Sequence, residues 1–247
     1  MDALRSPVVT DPAGLTALGT LLTVWAHPDD ETYLAGGVLA ALADAGHRVV
    51  CVTATRGEAA DPTATAGERA ALAALRTEEL EAALSMLGVT EHHWLGHPDG
   101  GCVDVDPAEP AAQLLRLLDD VRPDTVLTFG PDGFTGHPDH QAVSAWTDLA
   151  VSASAAAPRV LHAVSGEHVV DAELDEEFGV FELGRPRVCS EDEMAVRLDL
   201  AGDVLDRKVA ALLRQVSQTA GLVGAVGHDR FRAWVAAERY APPPQIR

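Results

Sequence analysis

Short apolar runs alternate with longer amphipathic stretches along most of the chain. Leu21–Ala26 (LLTVWA) is apolar throughout and bounded by Gly19 and His27-Pro28, the pattern of a buried strand. An Ala/Leu-rich stretch, Leu34–Ala45, follows a loop and stops at Gly46, which predicts a helix ended by glycine. His47–Thr55 (HRVVCVTAT) predicts a second strand. From about Glu68 to Leu87 the chain is rich in Ala, Leu, Glu and Arg, with Gly88 next, the clearest helix pattern present. Further on, strands are predicted at His93–Leu95, Thr125–Phe129 and Val160–Val164, and helices at Pro110–Val121 and Ala142–Ala153. Glu193–Ser217 predicts one long helix, and the APPP run at 241–244 ends the ordered pattern.

Strand, loop and helix in repetition predict an α/β fold: a Rossmann-like, mostly parallel sheet with helices on both faces. A ligand site in such a sheet lies at the carboxyl ends of the strands. No internal repeat and no long linker interrupt the pattern. A single domain over 1–247 is expected, with its core at about 20–220 and flexible ends.

Composition narrows the function classes. Apolar residues make up 47 % and aromatics 4 %, so the core is built from Ala, Val and Leu. A net charge of −20 repels phosphate backbones and anionic headgroups, which argues against nucleic acid as a partner. No window approaches the roughly 18 apolar residues of a membrane span. Cys51, Cys102 and Cys189 are few, odd in number and widely spaced, and the N-terminus lacks a signal-peptide pattern. A cytoplasmic protein is expected, and a homo-oligomer is compatible with the sequence. The acidic run Asp171–Glu177 reads as solvated surface.

Two clusters carry the chemistry. His27-Pro28-Asp29-Asp30-Glu31 follows the first strand, and Gly136-His137-Pro138-Asp139-His140 follows Thr125–Phe129. They lie about 110 residues apart, yet a parallel sheet brings both to one rim. Gathered carboxylates repel one another unless a cation compensates. Catalytic zinc commonly takes His nitrogens and a carboxylate and leaves one position open. One His and one Asp from the first cluster with one His from the second would make that set. A remaining Asp can take a proton from an attacking water, and a remaining His can stabilise an oxyanion. That is a kit for amide hydrolysis. The third HPD, His97-Pro98-Asp99, reads as a loop. Gly36-Gly37 alone does not make the GxGxxG phosphate fingerprint, which argues against a nucleotide-binding domain.

At these residues the chain resembles the LmbE-like, or PIG-L type, N-acetylglucosaminyl deacetylases. This family includes the N-acetylglucosaminyl-phosphatidylinositol deacetylases and the deacetylases of mycothiol and bacillithiol metabolism. The carrying motifs are AHPDDE at Ala26–Glu31 and GHPDH at Gly136–His140. Thr55-Arg56-Gly57-Glu58, Arg76-Thr77-Glu78-Glu79-Leu80 through Leu87-Gly88-Val89, and Lys208 through Ser217-Gln218 add to it, with Gln215 where a His is usual. The resemblance implies a hydrolase that removes an N-acetyl group from a small amino-sugar conjugate. It implies Zn2+ on His27, Asp30 and His140, with Fe2+ or another divalent ion as alternative. By position, Asp29 would be the general base, His137 would assist the leaving amine, and Asp139 would orient His137. Arg76 and Asp99 would contact substrate, although Arg76 could instead pair with Glu79 or Glu81. Glu31 would cap its helix or brace a ligand. One departure is Thr135, where some members carry a carbonyl-polarising Tyr. Two other readings remain: an amidase for a larger N-acyl group, and a catalytically silent metal- or sugar-binding module.

Overall fold

The computed structural model describes residues 8–167 and 177–244. Five consecutive strands are parallel: β1 (Leu21–Trp25), β2 (Val49–Thr53), β3 (Glu91–Trp94), β4 (Thr125–Phe129) and β5 (Arg159–Ala163). β1, β2 and β4 are buried at every position, as strands covered on both faces must be. The connecting helices are α1 (Asp30–Asp44), α2 (Ala66–Leu87), α3 (Ala108–Val121), the single turn α4 (Gly133–Gly136) and α5 (Pro138–Ala153). A two-stranded parallel pair, β6 (Ser165–Gly166) and β7 (Val188–Cys189), follows. The chain ends with β8 (Val196–Asp199), α6 (Gly202–Leu212), α7 (Val216–Val226), α8 (His228–Trp234) and β9 (Ala237–Ala241).

The main sheet has the order β3-β2-β1-β4-β5-β9-β8. β9 alone runs against the others, pairing antiparallel with both β5 and β8. From β1 the chain moves outward through β2 to β3, then returns to lay β4 on the other side of β1. The carboxyl ends of β1 and β4 therefore diverge into a crevice, where open α/β sheets bind ligands. Both His/Asp clusters follow these two strands. Helix α1 packs against α2 and α6, and α3 packs against α5.

α2 shows how local sequence makes an element. Thr65 accepts the Glu68 N–H, the Glu68 carboxylate accepts the Thr65 N–H, and Gly88 closes the helix at φ 79°. Two helices begin a full turn earlier than their apolar pattern predicts. α1 starts at Asp30, because carboxylates are favoured at the positive end of a helix. α5 starts at Pro138, which suits a first turn that needs no N–H there.

The long helix expected at Glu193–Ser217 is not formed. Glu191–Glu193 is a 3₁₀ turn, Val196–Asp199 is a strand, and helix resumes only at Gly202. Val196 and Leu198 point inward in alternation, and antiparallel pairing with β9 outweighs the local helical preference. α6 and α7 are then bent by 114° at residues 213–215. Most of the acidic run, 171–176, lies outside the described residues. Among the described residues, no single helix is long and apolar enough to cross a membrane.

Candidate active site

The first motif folds back on itself. Asp30 Oδ2 accepts the His27 backbone N–H at 2.8 Å, and Glu31 Oε2 accepts that of Asp29 at 3.0 Å. Gln215 donates to the other oxygen of Glu31 at 2.9 Å. Glu31 thus braces the loop that carries the reactive groups, and burial raises its pKa. Asp29 is held at φ 114°, a conformation costly for any residue but glycine and found mainly where function requires it.

His27 and His140 meet across the crevice. Each has one nitrogen anchored and the other turned toward a shared space. His27 Nε2 lies 3.0 Å from Asp99 Oδ1 and 3.3 Å from Asp139 Oδ2. His140 Nδ1 donates to the Gly133 carbonyl at 2.9 Å. Its ring stacks on Phe129 with centroids 4.1 Å apart, which fixes its plane. The two remaining nitrogens, His27 Nδ1 and His140 Nε2, are 3.1 Å apart. Asp30 completes the group, with Oδ1 3.5 Å from His140 Nε2 and Oδ2 3.7 Å from His27 Nδ1. An ion holding ligands tetrahedrally at about 2.0–2.1 Å separates them by about 3.3–3.4 Å. Two imidazole lone pairs and a carboxylate at the observed separations repel unless a proton or a cation lies between them. The residues present fit a metal ion.

Two other groupings share His27. His137 brings a ring nitrogen within 4.8 Å of those of His27 and His140. However, its Nδ1 accepts the Asp139 backbone N–H at 3.1 Å, so in the neutral ring the proton sits on Nε2. His137 is therefore suited to donating a hydrogen bond. Its pKa is lowered by burial and then by the charge of His27. Asp99 and Asp139 also cluster with His27, on the Nε2 side, where they orient the ring.

Asp139 was expected to orient His137, but its carboxylate is turned the other way. One oxygen accepts the Gly100 N–H at 2.7 Å and faces His27; the other accepts the Cys102 N–H at 3.1 Å. The reason is the N-terminal turn of α5, where the Asp139 backbone, rather than its side chain, reaches His137. Asp99, expected at the substrate, bonds His27 and accepts the Ala59 N–H at 2.6 Å. Among the described residues, Arg76 pairs with neither Glu79 nor Glu81. It donates to the Pro28 carbonyl at 2.6 Å and the Gly57 carbonyl at 2.9 Å, and lies 3.5 Å from Asp29. Glu79 instead accepts the Ser217 N–H at 2.8 Å.

The charges follow from burial. Asp29 is pushed up to about 8, by desolvation first and Asp30 next, against the pull of Arg76. Burial pulls His140 down to about 4. For His27 burial also lowers the pKa, but hydrogen bonds to Asp139 and Asp99 and the charge of Asp30 more than reverse it, to about 10. Thr135, where some family members carry Tyr, sits 3.4 Å from His140 Nδ1. A cavity of about 600 Å³ opens above these groups. Part of its wall comes from Tyr33, Phe134, Phe181 and Trp234, which the sequence reading missed. Tyr33 alone had a readable signal, lying one helical turn beyond Asp29 and Asp30.

Fold and site together define a Rossmann-like α/β protein whose sheet switch point carries a buried His/Asp cluster that could bind a metal. A family model described as GlcNAc-PI de-N-acetylase matches residues 22–151, more than half of the chain. The chain belongs to this PIG-L family. A 1D-myo-inositol 2-acetamido-2-deoxy-alpha-D-glucopyranoside deacetylase from Mycobacterium sp. (strain KMS) is 39 % identical over 175 aligned positions, covering 61 % of this chain. That alignment spans only 56 % of the relative's length. The protein of the same description from Acidothermus cellulolyticus is 34 % identical over 235 positions, covering 81 % of this chain and 80 % of the relative.

Among solved structures, the N,N'-diacetylchitobiose deacetylase of Pyrococcus horikoshii matches with a TM-score of 0.63 at 20 % identity. It covers 95 % of this chain and 87 % of its own. The 4-carboxy-2-hydroxymuconate hydratase GalB of Pseudomonas putida KT2440 also matches with a TM-score of 0.63 at 20 % identity, covering 93 % of this chain and 98 % of its own. The shared fold therefore does not by itself select a reaction.

Proposed function

We propose that this protein is a zinc-dependent amide hydrolase that removes the N-acetyl group from an N-acetylglucosamine conjugate. The observation that carries the reading is the convergence of His27 Nδ1, His140 Nε2 and the Asp30 carboxylate beside Asp29. Two His nitrogens and a carboxylate with an open side make the donor set of catalytic zinc. A zinc ion there would supply Lewis acidity, making water a nucleophile near neutral pH and polarising the acetyl carbonyl.

The chain's own residues do the rest. Asp29 lies on the cavity wall and is held by Arg76 without being locked in a tight ion pair. It takes the proton from the attacking water. His137 presents Nε2–H to the cavity, to hold the developing oxyanion and pass a proton to the leaving amine. Asp99 and Asp139 keep His27 in one tautomer, and Gly133 does the same for His140. The similarity to inositol-glycoside deacetylases at 34–39 % identity supports the sugar-amide substrate class.

The test is acetate release from N-acetylglucosaminides: the free sugar, an inositol conjugate, short chitooligosaccharides and glycopeptides, each with and without chelator. Chelator-sensitive acetate is expected from at least one. No acetate from any, with metal confirmed bound, would overturn the reading in favour of a larger-acyl amidase.

A further inference from the structure

The wall of the cavity beyond the His/Asp cluster is apolar. Tyr33 and Leu34 come from the first turns of α1, and Trp234 from the end of α8; the Tyr33 and Trp234 ring centroids are 5.8 Å apart. Phe134 from α4 lies beside Phe181, with centroids 6.2 Å apart. All five side chains are half-buried, so they are shaped by the fold yet still reach the cavity.

Phe134 is held at φ 62°, ψ −51°, inside a helical turn. For a bulky residue this backbone is a true outlier, kept only where the surroundings enforce it. Two contacts do so here. The Asp132 carboxylate accepts the Phe134 N–H at 2.6 Å. Gly136, at φ 78°, lies so close to Leu183 that a Cβ there would sit 2.4 Å from its carbonyl. The turn therefore packs closely against the segment that carries Phe181, with the two ring centroids 6.2 Å apart. Meanwhile the polar groups lining the cavity are largely engaged by the protein. Arg76 holds two carbonyls, and Asp99 holds His27 and Ala59.

We propose that these aromatic walls form a subsite for an alkyl or aryl group carried by the substrate, either at its glycosidic position or as part of its N-acyl group. This deepens the sugar-amide reading above and rests on it for the kinetic arm of the test only. Burying several extra methylenes against such walls should tighten binding at least tenfold.

The experiment titrates the whole protein by calorimetry with methyl and hexyl N-acetylglucosaminides and with methyl N-hexanoylglucosaminide, and measures turnover of each. At least one hexyl-bearing ligand is expected to bind ten times more tightly than the methyl N-acetyl compound. Phe181→Ala and, separately, Trp234→Ala should cut that ratio to below about threefold. A preference for the hexyl glycoside puts the group on the glycosidic side, and one for the hexanoyl amide on the acyl side. Equal affinity for all three ligands, or a ratio that survives both substitutions, would overturn the proposal. An intact hexyl preference without turnover of these three ligands would leave the subsite standing, and the hydrolase reading would then fall only if the wider N-acetylglucosaminide panel also yields no acetate.

Discussion

Lys208 and Glu238 form an ion pair of 2.8 Å with both side chains wholly shielded from solvent. Glu238 also accepts the backbone N–H groups of Gly37 and Val38, at 2.7 and 2.9 Å, in the middle of α1. Tyr240 donates its hydroxyl to the Leu34 carbonyl one turn earlier, at 2.8 Å. Strand β9 thus grips the helix whose first turn carries Asp30. Breaking a buried pair from one side strands a charge. Lys208→Met should therefore lower stability by about 3–5 kcal/mol, read from denaturant unfolding. A loss below about 1 kcal/mol would show that Glu238 is satisfied by the helix N–H groups alone.

Gly36-Gly37 illustrates what the sequence did and did not disclose. Read as a phosphate loop it fails, but its structural reason lies elsewhere in the chain. A Cβ on Gly36 would sit 2.9 Å from Lys208, and one on Gly37 would sit 2.5 Å from Leu200. The buried strands β1 and β4 and the helix α2 were legible because their signals are local: continuous apolar runs, a capping box, a terminal glycine. So were the two motifs, since both follow strands and the sheet order places them together. The helix starts were obscured because Asp30 and Glu31 are at once site residues and the first turn of α1. β8 was hidden because only its pairing with β9 makes it a strand. The cavity walls were hidden too, since Phe134, Phe181 and Trp234 line one cavity from segments far apart in sequence.

Asp99 separates two roles by experiment. Expected at the substrate, it lines the cavity and also bonds His27 Nε2 at 3.0 Å, and burial, which raises its pKa, is outweighed by His27, which holds it down to about 2. Asp99→Asn should weaken divalent-metal affinity by about 10- to 100-fold, the usual effect of losing a partner that orients a ligand. A competition titration with a chromogenic chelator would read it. Unchanged metal affinity with a raised KM would return Asp99 to the substrate.

The ligand roles can be tested without turnover. His27→Ala and His140→Ala should each abolish stoichiometric metal binding by elemental analysis of the purified protein. His137→Ala should retain it, because the His137 Nδ1 is already taken by the Asp139 N–H. Loss of metal in His137→Ala would instead select the three-histidine set.

Metal uptake should depend on pH in a defined direction. In the metal-free protein His27 is protonated up to about pH 10, because Asp139, Asp99 and Asp30 outweigh the desolvation that lowers its pKa. A coordinated imidazole must be neutral at the binding nitrogen, so metal has to displace this proton. Across the neutral range the apparent affinity should rise about tenfold per pH unit from this group alone. Calorimetry in buffers of different ionisation enthalpy should show a proton released. Uptake without proton release would mean that His27 is already neutral, and that its contacts with Asp99 and Asp139 are weaker than their distances indicate.

Arg76 should control the acid limb of the pH–rate profile. Its guanidinium lies 3.5 Å from the Asp29 carboxylate and opposes the burial and the Asp30 charge that push Asp29 up to about 8. If Asp29 is the base, activity requires its ionised form and rises with pH through its pKa. Removing the nearby cation raises that pKa, so Arg76→Met should move the acid limb of kcat/KM to higher pH by about one unit. A bound metal lowers the limb in both proteins and leaves the direction of the difference unchanged. Arg76→Lys keeps the charge but cannot span the Pro28 and Gly57 carbonyls, which Arg76 holds through different nitrogens. It should restore the limb while kcat stays low. A fall in kcat with no displacement of the limb in Arg76→Met would show that Arg76 acts only by holding the loop, and would remove the charge-based support for Asp29 as the base.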